Sequence, residues 1–233
     1  MQKDIEVRYV DHMGSDMRVC NMARQSFGKW KDESELNSTD VSLLHYLSTG
    51  VPSNQRDDYE ALYKASTHWT PFAHCQLTVQ CTVPIFLARQ LGKHQVGIVQ
   101  SEESRRYMAG NVDYWIPEEL HEVPEGSIKQ GSGGIHSSNL AMIQTMVSHT
   151  ETAIQNYEYF LSTGMAPEEA RMILPLNTMV TFSWTGSLIA MLRVVKQRQD
   201  SHAQLAAQEF AGKLKTILQQ HFPEATKAYM NYL

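Results

Sequence analysis

From Gln76 to Val83 the chain alternates without a break, with Leu77, Val79 and Cys81 on one side and Gln76, Thr78, Gln80 and Thr82 on the other. A period of two residues belongs to a strand with one buried face. Whatever surrounds it must therefore cover an apolar sheet surface. Pro84 follows, and its fixed φ and missing N–H suit the first turn of a helix over Ile85–Leu91, ended by Gly92.

The same reading extends to both sides of this strand. Ile5–Val10 is expected to be a first strand, and Ser15 or Asp16 to cap a helix through Val19, Met22 and Ala23 with Gly28 near its end. A second helix, carrying Val41, Leu43, Leu44 and Leu47, starts at Ser38, Thr39 or Asp40 and stops at Gly50. Val51–Asp58 reads as a loop, Tyr59–Ala65 as a short helical piece, and Gly126–Gly134 as a glycine-rich loop. A long helix follows Ser137 or Ser138. Leu140, Ile143, Val147, Ile154, Tyr157 and Leu161 mark one face of it, and Gly164 closes it. Pro167, Glu168 and Glu169 open another helix, which Pro175 limits. Thr178–Trp184 is expected to be a strand. Two helices follow Gly186 with Asp200 and Ser201 at their junction, and Pro223 starts a last one. Together these elements predict an α+β domain, helix-rich in its second half, occupying residues 1–233 as a single unit.

A chain of 233 residues with 42% hydrophobic and 19% charged residues can bury a core without metals or disulfides. The net charge of −5 argues against general affinity for nucleic acid or anionic membrane. The 3 cysteines, Cys20, Cys75 and Cys81, form no CxxC pair. With no apolar run of signal or membrane-span length either, the expected setting is reducing and cytoplasmic.

Chemistry concentrates in four stretches. PIFLARQLGKHQVGIVQSEESRRY, Pro84–Tyr107, gathers Arg89, Lys93, Arg105 and Arg106 with Gln90, His94, Gln95, Ser101 and Ser104, and places Glu102 and Glu103 among the cations. Such a set suits a phosphate ligand, and equally a solvated charged turn. RMILPLN puts Arg171 just before a proline break, where it serves as a helix-end charge or an anion ligand. KQRQDSHAQ carries Arg198 and His202, which share a face if one helix runs through both; Asp200 and Ser201 would instead cap a new helix. HWTPFAH holds His68 and His74 at a spacing foreign to zinc sites, so no metal is expected.

Taken in order, these stretches resemble the flavin-dependent thymidylate synthases. MARQSF around Ser26, HWTPFAH, PIFLARQ with KHQ and SEESRRY, RMILPLN, FSWT and DSHAQ match that family's motifs along most of the chain. The resemblance implies a central, mostly antiparallel sheet flanked by helices. It implies FAD as cofactor, NADPH and methylenetetrahydrofolate as co-substrates, and conversion of dUMP to dTMP. It also implies a homotetramer whose sites are built from several subunits. Carried over position by position, it assigns dUMP binding to Gln90, Glu102, Ser104, Arg106, Arg171 and Arg198. The resemblance makes Arg198 the catalytic residue, stabilising negative charge on the uracil ring. FAD binding falls to Ser26, Thr70, Lys93, His94, Gln95, Glu102, Ser187, Arg193 and His202. The chain departs from the family on the flavin side. Lys93-His94-Gln95 replaces an arginine-histidine-arginine signature, and Ser187 and Ile189 replace an asparagine and an arginine, with Arg193 one helical turn beyond as a substitute guanidinium. These departures leave two further readings open: hydroxymethylation of the same nucleotide, and nucleotide or flavin binding without turnover.

Overall fold

The computed structural model describes residues 1–32, 35–55, 62, 67–108, 110–124 and 131–230. Its centre is a 4-stranded sheet in the order β1-β2-β4-β3. The strands are β1 (Glu6–Met13), β2 (Gln76–Pro84), β3 (Ile98–Glu102) and β4 (Met179–Ser187). All pairings are antiparallel, with Val79 opposite Trp184 and Tyr9 opposite Val79. β2 and β4 bury their alternate residues as the period requires: Leu77, Val79, Cys81 and Val83 face the same core as Val180, Phe182 and Trp184. On the opposite face the threonines pair across the strands, Thr78 with Thr185 at 3.0 Å and Thr82 with Thr181 at 3.1 Å.

The helices are α1 (Asp16–Arg24), α2 (Ser38–Thr49), α3 (Ile85–Leu91), α4 (Asn139–Ser162), α5 (Pro167–Ala170), α6 (Leu188–Arg198), α7 (Leu205–His221) and α8 (Pro223–Met230). α6 supplies the core with Leu188, Ile189, Met191, Leu192, Val194 and Val195, and α7 adds Phe210, Leu214 and Leu218. Phe210 meets Trp184 edge to face with ring centroids 6.0 Å apart, fixing α7 over β4. Asp16 sits at the start of α1 yet accepts the N–H groups of Glu224 and Ala225, so one carboxylate satisfies the first turn of α8 as well.

Several expectations need correction. α1 ends at Arg24, and a 3-10 turn over Gln25–Phe27 carries the chain to Gly28. The cap of α2 is Asn37, one residue before the expected start; Asp40 completes a capping box with it. Residues 53–55 form a 3-10 turn within the expected Val51–Asp58 loop, whose last residues lie outside the described ones. Apart from Leu62, the Tyr59–Ala65 piece also lies outside them, as do residues 126–130 of the glycine-rich loop. The apolar stripe of α4 is a core face over its second half only: Ile154, Tyr157 and Leu161 pack with Val112 and Ala170 in a small second core, while Leu140 is 69% exposed. α6 ends at Arg198, and Asp200 accepts from the backbone of His202 in a turn rather than capping α7, whose N-cap position is Gln204.

Candidate functional site

The ends of β3, α3 and α6 collect most of the singled-out side chains. Gly97, just before β3, has a φ of 75° and stands so close to α6 that an added Cβ would lie 2.9 Å from the Ser187 hydroxyl oxygen. Only glycine tolerates both constraints. The Ser187 hydroxyl accepts from the N–H of Ala190 at 3.4 Å and caps α6. It therefore serves the helix that carries Arg193 and Arg198, a structural part for a position assigned to FAD.

Arg198 closes α6 and lines a cavity of about 1000 Å³ together with Gln90, Lys196, Asp200, His202 and Lys215. Its Nε donates to His94 Nε2 at 2.9 Å, and no described residue accepts from its two terminal nitrogens. Burial draws the pKa of Arg198 below its ordinary value, yet a guanidinium stays charged throughout the physiological range. Burial, and then the charge of Arg198, lower the pKa of His94. Gln90, on α3, keeps its buried side-chain oxygen without a hydrogen-bond partner among the described residues. His202 is tied to Asp200, ring Nδ1 to carboxylate at 3.0 Å. Lys196 and Lys215 were not singled out from sequence. Lys196 stands in the same run as Arg198, but nothing in the spacing marks Lys215, which α7 brings over from far along the chain.

A second cleft, of about 660 Å³, lies between α1, α2 and the 3-10 turn Thr70–His74. Ser26, Phe27, Tyr46, His68, Trp69 and Thr70 line it. Tyr46 and His68 stack with centroids 5.0 Å apart, a flat aromatic wall. Arg193 reaches over the Trp69 ring at 5.4 Å. Arg193 and Arg198 belong to one helix, about 7.5 Å apart along its axis, so α6 places one guanidinium over Trp69, a wall residue of the cleft, and another at the cavity. Ile189, one turn before Arg193, is buried in the core.

The remaining assigned residues stand apart from both hollows. Glu103 ties the end of β3 to β4, its backbone N–H donating to Thr181 and its carboxylate accepting from Thr181, each at 2.9 Å. Glu102 is left exposed, accepting from Gln100 at 3.0 Å. Beyond it Arg105 is spent on the carbonyls of Gly110 and Asn111, so Arg106 points outward over Tyr107 with Ser104 beside it. Arg171 is exposed and, among the described residues, bonds only the carbonyl of Glu168, at 3.4 Å. Lys93 and Gln95 are exposed on the loop after α3. Thus Gln90, Arg198 and His202 meet at the cavity, Ser26 and Thr70 meet at the cleft, and Ser104, Arg106 and Arg171 line neither. The cysteines are buried, and burial pushes the Cys20 thiol up to about 12, so no thiolate nucleophile stands at either hollow. Among the described residues no group of His, Cys, Asp and Glu is arranged to hold a metal ion.

The model of a family described as thymidylate synthase complementing protein matches residues 8–224. The chain belongs to the flavin-dependent thymidylate synthase family. A flavin-dependent thymidylate synthase of Wolbachia pipientis wMel is 30% identical over 97% of this chain and 74% of its own. One from Thermosipho africanus is 28% identical over 97% of this chain and 91% of its own. The fold matches a UMP/dUMP methylase, PolB from Streptomyces cacaoi, solved with 5-Br dUMP, at a TM-score of 0.82 and 24% identity over 99% of this chain and 97% of that one. As a member of the family, the chain has the mixed helix and antiparallel-sheet architecture that the motifs implied. No described helix is long and apolar enough to cross a membrane.

Proposed function

We propose that the protein converts dUMP to dTMP, with methylenetetrahydrofolate as carbon donor and FAD as cofactor. The observation that carries this reading is Arg198: a cation at the wall of a large cavity, fixed through Nε, with both terminal nitrogens free of described partners. Those two nitrogens match O2 of a uracil ring and, once N3 has lost its proton, the adjacent N3, as a planar fork matches paired acceptors. Negative charge developing on the ring is stabilised there, and electron density moves toward C5, which attacks the carbon donor without a cysteine adduct. Gln90 offers its unpartnered amide oxygen to the same ligand. Arg106 and Arg171, both exposed, hold the nucleotide phosphate when a neighbouring copy brings them to the cavity, and Ser104 and Glu102 orient the rest of the nucleotide.

The residues present fit FAD. A flat aromatic wall at Tyr46 and His68, hydroxyls at Ser26 and Thr70, and the guanidinium of Arg193 above Trp69 offer stacking, hydrogen bonds and positive charge to a long anionic dinucleotide. His202 continues the set at the cavity, and Lys93, His94 and Gln95 on the loop after α3 and Ser187 at the cap of α6 are the other flavin-side positions. Once reduced by NADPH, bound FAD supplies the hydride that leaves a methyl group.

Two measurements test this. Flavin fluorescence should change saturably as FAD is titrated, and mass spectrometry of dUMP incubated with FAD, NADPH and methylenetetrahydrofolate should show a methyl increment. A hydroxymethyl increment would establish the related reaction instead. Saturable binding of dUMP and FAD with no product would leave a binding protein.

A further inference from the structure

We propose that His94 is a positioning residue for Arg198: its uncharged ring accepts the Nε–H of Arg198 and aims the two terminal nitrogens into the cavity. A guanidinium only donates, so the 2.9 Å contact fixes the imidazole with a lone pair on Nε2 and its proton on Nδ1. His94 is half-buried and is not among the residues that line the cavity, whereas Arg198, which it touches, is. The arrangement spends Nε on the protein and leaves the planar fork for a ligand. A lysine at position 198 has no group to divide in this way.

The contact exists only while His94 is neutral. Protonation turns Nε2 into a donor facing a donor, with two positive charges at hydrogen-bond distance. Burial, and then Arg198, keep the proton off the ring and place its titration below the ordinary value of 6.5. Arg198, from α6, is the charged group acting on this ring among the described residues, and no described carboxylate offsets it. As pH falls through that titration, Arg198 is released from its bearing. The site then loses a fixed cation on the acid side while staying intact above it.

The structural claim is independent of the proposed reaction, whereas its effect on turnover rests on that reading. Nitrogen-15 spectra of histidine-labelled protein, with His94 assigned by its loss in His94→Gln, should show the Nδ1–H tautomer at neutral pH. The ring should titrate below 6.5 and move upward in Arg198→Ala. An Nε2–H tautomer, or a titration indifferent to Arg198→Ala, would overturn the proposal whether or not the protein turns over dUMP. In turnover, His94→Gln keeps a neutral acceptor of similar reach. Its kcat should fall less than that of His94→Ala, and its pH profile should lose the acid limb. His94→Ala leaves the fork unsupported and should lower kcat on the order of 100-fold, the scale of a small misplacement of a reacting group, with a smaller change in KM for dUMP. Normal kcat and an unchanged acid limb in a folded His94→Ala protein would also overturn it.

Discussion

At the scale of single residues, the informative contrast is between arginines that are spent and arginines that are free. Arg105 closes its own turn on two carbonyls, and Arg24 is paired with Asp40. Among the described residues, Arg106 and Arg171 reach only neighbours on their own turns. The sequence shows four arginines of one kind at these positions, and only the fold sorts them. Family resemblance separates Arg106 from Arg105 by position, and Arg105 is the one of the two bound to backbone carbonyls. If Arg106 and Arg171 hold phosphate, replacing either with alanine removes a charge-assisted hydrogen bond, worth about 1.5–3 kcal/mol. Calorimetry should then show dUMP binding weakened by roughly one to two orders of magnitude. Deoxyuridine, which has no phosphate, should bind both variants as it binds the unaltered protein. Equal losses for the two ligands would take these arginines off the phosphate.

Among the elements, those with a strict period were readable and those shaped by partners were not. β2 and β4 bury the residues that alternation selects, because a sheet face has only two sides. The cap of α2 was misplaced by a residue because Asn37, Ser38, Thr39 and Asp40 are all good cap residues. What decides among them is tertiary. Asp40 is buried and receives Arg24 from α1, Lys31 from the linker and the backbone N–H of Asn37. Burial alone would raise its pKa, but the Asn37 N–H and the Lys31 and Arg24 cations outweigh it and hold the carboxyl at about 2. A folded-state pKa below the unfolded one stabilises the fold above the unfolded pKa. That stability disappears as pH falls from 3.8 toward about 2. Asp40→Asn should therefore cost about 2 kcal/mol near neutral pH and lower Tm by roughly 4–8 °C. The gap between variant and parent should close in acid. A constant gap across that window would mean that the carboxylate's charge contributes nothing.

For the whole molecule, the longest apolar stripe divides: Ile154, Tyr157 and Leu161 pack in the small second core, and the other end of α4 stays open. Leu140, Met142 and Tyr159 on α4 are exposed, as are Met172 and Leu176 nearby, although the stripe on α4 has the period of a core face. A helical period says that a face is covered, not by which chain, and a surface of this kind marks an association site. The candidate site is divided in the same sense: Arg198 and Gln90 line the cavity, whereas Arg106 and Arg171 line neither hollow. Both observations have one explanation if copies of the chain associate and the phosphate-holding arginines of one complete the cavity of another. Light scattering should then report a tetramer, and Leu140→Glu should lower that mass without altering the circular dichroism of the fold. Complementation gives the sharper test. At dUMP concentrations far below the weakened affinity of Arg171→Ala, this variant and Arg198→Ala should each show little activity alone. In oligomers assembled from an equal mixture of the two, sites that join subunits receive both arginines intact in about one quarter of cases. Activity near that fraction should appear on mixing after dissociation. If the arginines meet within one chain, every site in the mixture lacks one of them, and mixing restores nothing.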